Sequence, residues 1–245
     1  MAHHLKITAV TCVKNEGPFL LEWIAFHQCI GVTDFLFYSN DCEDGTDTLL
    51  DALAELGHLR HLPNPAEGRN YQMEALKHAK TQDIVTEADW VWVADVDEFP
   101  NIHVGDNSLP ALIHACGNPQ TISLNFQFFA NNDIEAFVDS PVIGQFTRSH
   151  NPDLWCGESA IEVKSLVQKD FPLKYYGAHR PFFQDKIKKR EPPQLDRWLG
   201  PCCSTPLFGG RQPAPHPPLS RRRIAGLCDT EPLRPAQSRQ LSGEK

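Results

Sequence analysis

The sequence predicts an α/β protein built on a mainly parallel sheet flanked by helices. Short apolar runs rich in β-branched and aromatic residues alternate with segments of helical period through the first hundred residues. Each run leads into a polar loop, and prolines and glycines sit where helices should start and stop. Alternation of this kind covers a parallel sheet on both faces.

Residues 7–13 read as a buried strand that ends in the loop Lys14-Asn15-Glu16-Gly17. Pro18 opens a helix in which Phe19, Leu20, Trp23, Ile24, Phe26 and His27 recur at helical spacing, and Gly31 is placed to close it. Residues 35–38 form a second strand and 39–45 a polar loop. Residues 46–56 form a helix with Leu49, Leu50, Leu53 and Leu56 inward and Gly57 after it. A third strand, 59–62, passes through a loop containing Pro and Gly to a helix at 70–79. The fourth strand, 90–94, runs straight into Asp95-Val96-Asp97-Glu98-Phe99. Beyond Asn107 the pattern is mixed: a short helix at 109–116, a strand at 121–129, and extended stretches near 142–148 and 161–167, a half assigned to the acceptor side.

Composition narrows the function classes. The chain has 245 residues and a formal charge of −8, so the electrostatic footprint of a nucleic-acid or anionic-lipid binder is missing. No apolar run approaches the roughly 18–20 residues of a membrane helix. The stretch 7–13 is stopped by Lys14-Asn15-Glu16, so neither signal peptide nor membrane span is expected. Eight cysteines without a CxxC pair argue against a zinc ribbon or thioredoxin-type motif and read as reduced thiols of a cytoplasmic protein.

The composition changes at Pro192. Residues 1–191 hold 15 basic and 27 acidic residues, whereas 192–245 hold 8 and 4, with ten of the chain's 20 prolines and seven Arg to one Lys. The domain is therefore expected over 1–191. The Pro/Arg-rich stretch 192–245 is expected to be a disordered tail, or an aberrant one translated out of the ancestral frame.

Open α/β sheets bind ligands outside the carboxyl ends of their strands. Three polar clusters fall there: Lys14-Asn15-Glu16, Asn40-Asp41 with Asp44, and Asp95-Val96-Asp97. Two carboxylates at i and i+2 leaving a buried strand face one side if the backbone is extended, and they repel unless a cation sits between them. Hard oxygen ligands at this spacing suit Mg²⁺ or Mn²⁺, which keep waters and add substrate phosphates to one or two carboxylates. An isolated acidic pair is more often a solvated turn. Delivery by so apolar a strand as 90–94 favours metal here, with Glu98 either supporting the site or facing water.

The segments Val13-Lys14-Asn15-Glu16, Tyr38-Ser39-Asn40-Asp41-Cys42-Glu43-Asp44-Gly45-Thr46-Asp47, Gly68-Arg69-Asn70 and Asp89-Trp90-Val91-Trp92-Val93-Ala94-Asp95-Val96-Asp97-Glu98-Phe99 resemble, in order and spacing, the successive motifs of glycosyltransferase family 2-like proteins with the GT-A fold. The resemblance implies a metal-dependent, inverting enzyme that moves a sugar from a nucleotide-diphosphate sugar to a hydroxyl of a glycan or lipid-linked acceptor. It implies that Lys14, Asn15, Glu16, Asn40, Asp41 and Asp44 hold the nucleotide, and that Asp95 and Asp97 hold Mn²⁺ or Mg²⁺ on the diphosphate. Arg69 matches a basic position that can contact phosphate oxygens, with a helix cap or salt bridge as its alternative. Tyr176-Gly177-Ala178-His179-Arg180-Pro181 resembles the family's late His motif, which places His179 on the metal.

Inversion needs a carboxylate base. Asp133, Glu135, Glu158 and Glu162 lie downstream, and Glu158 is chosen because Leu154-Trp155-Cys156-Gly157 before it can supply an aromatic sugar platform. A nucleotidylyltransferase is disfavoured, since Lys14-Asn15-Glu16-Gly17-Pro18 is no Gly-rich phosphate loop. A catalytically impaired nucleotide-sugar binding module is the alternative from another class.

Overall fold

The computed structural model describes residues 4–149 and 163–184. The stretch 192–245, read from composition as a tail, lies outside the described residues. The α/β architecture is the expected one. Strands β1 (Ile7–Val13), β2 (Asp34–Ser39), β3 (Arg60–Pro63) and β4 (Trp90–Val93) pair in parallel. Strands β5 (Thr121–Asn125) and β6 (Val163–Gln168) complete a six-stranded sheet of order β3-β2-β1-β4-β6-β5. Strand β6 is antiparallel to both of its neighbours, so the sheet is mixed on that side.

Period-two alternation splits the apolar residues into two cores. Ile7, Ala9, Val13, Phe35, Phe37, Trp90 and Trp92 face the helices α1 (Gly17–Cys29), α2 (Thr46–Glu55) and α5 (Leu109–Ala115). Val10, Leu36, Tyr38, Val91 and Val93 face α3 (Tyr71–Ala79) and α4 (Asp83–Thr86), which the sequence pattern had not marked. A central strand buried on both faces is therefore apolar throughout, as Trp90-Val91-Trp92-Val93 is. Gly31 is required after α1: its φ is +102°, and a Cβ there would lie 2.9 Å from Pro110 of α5.

Two expectations are corrected beyond Asn107. The strand expected over 121–129 ends at Asn125, and Phe129 pairs instead with Ser149 in an isolated antiparallel bridge outside the sheet. The stretch near 142–148 is not extended: Val142–Gln145 forms the one-turn helix α6. The reason is a tertiary contact: Glu22 of α1 accepts hydrogen bonds from the Val142 amide at 2.6 Å and the Ile143 amide at 3.2 Å. Those are the orphan donors of a helix start, and a carboxylate satisfies them. Strands β7 (Leu173–Tyr175) and β8 (Phe182–Phe183) form a small separate hairpin.

Candidate functional site

The three polar clusters meet at one edge of the sheet because β1, β2 and β4 are parallel neighbours whose carboxyl ends point the same way, β1 and β2 ending at the paired Val13 and Ser39 and β4 at Val93 beside Val10. Their loops are stitched to each other. Asn15, at φ +59°, accepts a hydrogen bond from the Glu43 amide at 2.7 Å. The Glu16 amide donates to Thr46 Oγ1 at 2.9 Å, and the Gly17 amide to Asp44 Oδ2 at 3.2 Å. Asp44 Oδ1 takes the Thr46 hydroxyl, so the Asp44 carboxyl is held below its ordinary range, the Thr46 hydrogen bond being the main cause. Asp41, at φ +48°, stands exposed beside Asn40, and its charge pushes the Tyr71 hydroxyl upward. Left-handed backbone at Asn15, Asp41 and Asn70 is the conformation that Asn and Asp tolerate best among residues with a Cβ.

The acidic segment is a turn, in place of the extended backbone expected. Strand β4 ends at Val93, the Glu98 amide donates to the Asp95 carbonyl at 3.1 Å, and Val96 packs inward. Asp95 and Asp97 nevertheless border one cavity of about 500 Å³ with Cys12 and Glu16, and Phe19, Val142 and Phe146 complete its lining. Burial pushes the Glu16 carboxyl up, and the charges of Asp97, Asp44 and Asp95 add to it. The cavity thus has an acidic wall and an apolar one.

Behind the acidic wall lies a group that the motif reading did not include. Lys164 of β6 is 1% exposed, and its Nζ lies 2.9 Å from Asp95 Oδ2 and 3.1 Å from Glu98 Oε2. Gln72 Nε2 donates to Asp95 Oδ1 at 2.9 Å, and the Asp95 amide donates to Glu98 Oε2 at 2.9 Å. Burial pushes the Glu98 carboxyl up to about 7, with Lys164 pulling against it and Asp95 adding to it. Burial also raises the Cys12 thiol, to about 12, which leaves it protonated and unreactive. One signal was available: a lone lysine in the apolar run Val163-Lys164-Ser165-Leu166-Val167 requires a buried carboxylate partner.

The turn is tied down from the other face as well. Trp23 Nε1 donates to the Glu98 carbonyl at 3.1 Å, and the Trp23 ring lies 3.9 Å from the His27 ring. His27 Nδ1 donates to the Trp23 carbonyl at 2.8 Å, which leaves Nε2 to accept from Trp92 Nε1 at 3.3 Å. Helix α1, strand β4 and the acidic turn are therefore one buried network.

The remaining candidates fall as follows. Lys14 and Arg69 are exposed, and Arg69 makes no cap or salt bridge among the described residues. His179 has its Nδ1 3.3 Å from the Val163 carbonyl and its ring against Phe126. The described residues contain no group of three His, Cys, Asp or Glu arranged to hold a metal. A divalent cation fits this donor set only with most of its ligands coming from water and a bound diphosphate, Glu16 and Asp97 being the cavity carboxylates whose oxygens no described protein donor occupies. Asp133 pairs with Arg148 at 2.7 Å on the surface, and Glu135 is exposed. Glu158 and Glu162 lie outside the described residues.

The family model of glycosyltransferase family 92 matches residues 8–170. A family 92 protein of Ricinus communis is 32% identical over 101 residues, which is 40% of this chain and 17% of that protein. One of Arabidopsis thaliana is 28% identical over 103 residues, 38% of this chain and 16% of that protein. The chain thus matches less than a fifth of the length of these curated relatives. Among solved structures, Staphylococcus aureus TarS 1–349 aligns with a TM-score of 0.41 and 9% identity, over 67% of this chain and 47% of that one. Glucosyl-3-phosphoglycerate synthase of Mycobacterium tuberculosis, solved with Mg²⁺ and UDP, aligns with a TM-score of 0.40 and 16% identity, over 69% of this chain and 59% of that one. The glycosyltransferase resemblance read from the motifs is borne out. No helix among the described residues is long and apolar enough to cross a membrane.

Proposed function

The chain belongs to glycosyltransferase family 92, and on that premise we propose that it moves a sugar from a nucleotide-diphosphate sugar to a hydroxyl acceptor, with Mn²⁺ or Mg²⁺ on the diphosphate and inversion at the anomeric carbon. The observation that supports this reading best is the cavity that Glu16, Asp95 and Asp97 line together with Phe19, Val142 and Phe146 at the carboxyl edge of the sheet. The stitched loops carrying Lys14, Asn15, Asn40, Asp41 and Asp44 form the rim for base and ribose, and exposed Arg69 is free to reach phosphate oxygens. The apolar wall suits the carbon face of a sugar ring.

In the reaction the acceptor oxygen bonds to the anomeric carbon while the bond to the diphosphate breaks, and a carboxylate takes the hydroxyl proton. A divalent cation bound there would supply charge for the departing diphosphate. Asp97 would hold that cation, and Asp95 and Glu98 fix the turn that presents it. Glu158 remains the carboxylate of choice for the base, and the acceptor is a glycan or a lipid-linked sugar.

A thermal-shift screen of UDP and GDP, with and without Mn²⁺, tests the reading. One nucleotide at a hundredfold excess over its Kd should raise Tm by roughly 5–10 °C, and only with the metal. Asp97→Ala should abolish that shift while leaving the unliganded Tm within about 2 °C of wild type. No shift with either nucleotide would overturn the proposal. Binding without turnover of any donor would instead favour an impaired binding module.

A further inference from the structure

A lysine is buried only where its charge is matched, and Lys164 is matched twice within a single turn. Asp95 spends one oxygen on this ammonium and the other on Gln72, and Glu98 divides one oxygen between the ammonium and the Asp95 amide. The lysine occupies the place a positive ion would take between these carboxylates. An incoming divalent cation would approach Asp95 against a fixed positive charge. What Asp97 and Glu16 add falls short of a cage, since the described residues hold no group of three metal-binding side chains.

We propose that Lys164 is a positioning residue that serves as a built-in counter-cation: it sets Asp95 and Glu98 in place and keeps a bare divalent ion off the acidic turn, so that metal enters only together with the donor diphosphate. The second half of this statement rests on the function proposed above; the first half does not. A lysine that merely glued β6 to the turn would stabilise the fold and leave metal affinity alone. A counter-cation sets metal affinity directly, because its removal frees Asp95 and takes a repelling charge away.

The test measures binding of Mn²⁺ alone, without nucleotide, to the full chain, by electron paramagnetic resonance of the free ion. Wild type and Lys164→Arg should bind it weakly and alike, and Lys164→Met should bind it at least about tenfold tighter. Equal or weaker binding by folded Lys164→Met would overturn the proposal. Should circular dichroism show that Lys164→Met does not fold, the pair Lys164→Met/Glu98→Gln is compared with Glu98→Gln alone, because removing both partners of a buried ion pair is far less costly than removing one. The double variant must then bind Mn²⁺ tighter than the single one, and the reverse order overturns the proposal. UDP affinity with Mn²⁺ present should fall about tenfold or more in Lys164→Met. A wild type that binds no nucleotide refutes the proposed function, while the Mn²⁺ comparison still decides the role of Lys164.

Discussion

The two walls of the cavity are held in opposite ways. The acidic wall rests on a buried network: Lys164 and Gln72 grip Asp95 from one face, and Trp23, His27 and Trp92 fasten the turn from the other. The apolar wall is Phe19 of α1 with Val142 and Phe146, the last two from residues 126–148, which leave the sheet after β5 and pair only with each other, at a Phe129–Ser149 bridge, among the described residues. That stretch hangs on α1 through Glu22 and an edge contact of Phe19 with Phe137, which is itself 65% exposed. Few buried contacts and exposed apolar groups mark the low-stability end of a structure. Asp95 and Glu98 are thus fixed before a ligand arrives, and the apolar surface can adapt to what it receives.

The largest expected effect breaks the rigid side. Burial pushes the His27 imidazole down to about 4, from an ordinary value near 6.5. Protonation would place a second N–H against Trp92 Nε1, so the folded protein refuses a proton that the unfolded chain accepts. Stability from His27 is complete above about pH 6.5 and is lost as pH falls toward 4, in total about 3 kcal/mol. Glu98, raised to about 7, slopes the other way across the same window. Subtracting the urea-unfolding profile of His27→Leu from that of wild type isolates the histidine. A difference that stays flat between pH 7 and pH 4.5 would show that the network does not depend on neutral His27.

The contrast between the walls is also a contrast in what the sequence reveals. On the acidic side, local pattern suffices: Pro18 and Gly31 bracket α1, four apolar runs become four parallel strands, and the polar residues after them meet because the carboxyl ends of parallel neighbours point the same way. Asp95 and Asp97 were readable as a pair for that reason. The pairing of Asp95 with Gln72 and Lys164 was not, since they lie 23 and 69 residues from it and no periodicity links them, even though a lone lysine in an apolar run calls for some carboxylate. On the apolar side, Val142-Ile143-Gly144-Gln145 has the composition of a strand and becomes a turn of helix only because Glu22, 120 residues earlier, caps it. Tertiary contact overrides propensity most easily in such short segments.

A middle-sized effect should loosen the adaptable wall alone. Glu22→Ala leaves the Val142 and Ile143 amides without their carboxylate, a loss comparable to removing a helix cap, about 1–2 kcal/mol. The cost should stay local. Hydrogen exchange should quicken at the amides of 142–146 and remain unchanged at 91–98, and the Tm rise given by nucleotide with Mn²⁺ should persist. Faster exchange at 91–98 would mean that the two walls are coupled, and the contrast drawn between them would fail.

The smallest effect sharpens the rigid side. Thr11 lies on β1 opposite Phe37, on the face shared with Ala9 and Val13, and its hydroxyl is buried with no hydrogen-bond partner among the described residues. A buried hydroxyl that finds no partner costs free energy, whereas a methyl in its place gains contact with the same neighbours. Valine keeps the branching at Cβ that suits a strand, so the backbone has no reason to move. Thr11→Val should therefore stabilise the protein by about 1 kcal/mol and raise Tm by roughly 2–4 °C. The acidic turn stands on its own network, so metal and nucleotide binding should not follow. A fall in Tm would mean that the hydroxyl is satisfied after all, and that β1 is wired into the site through Thr11 as well as through the loop it delivers.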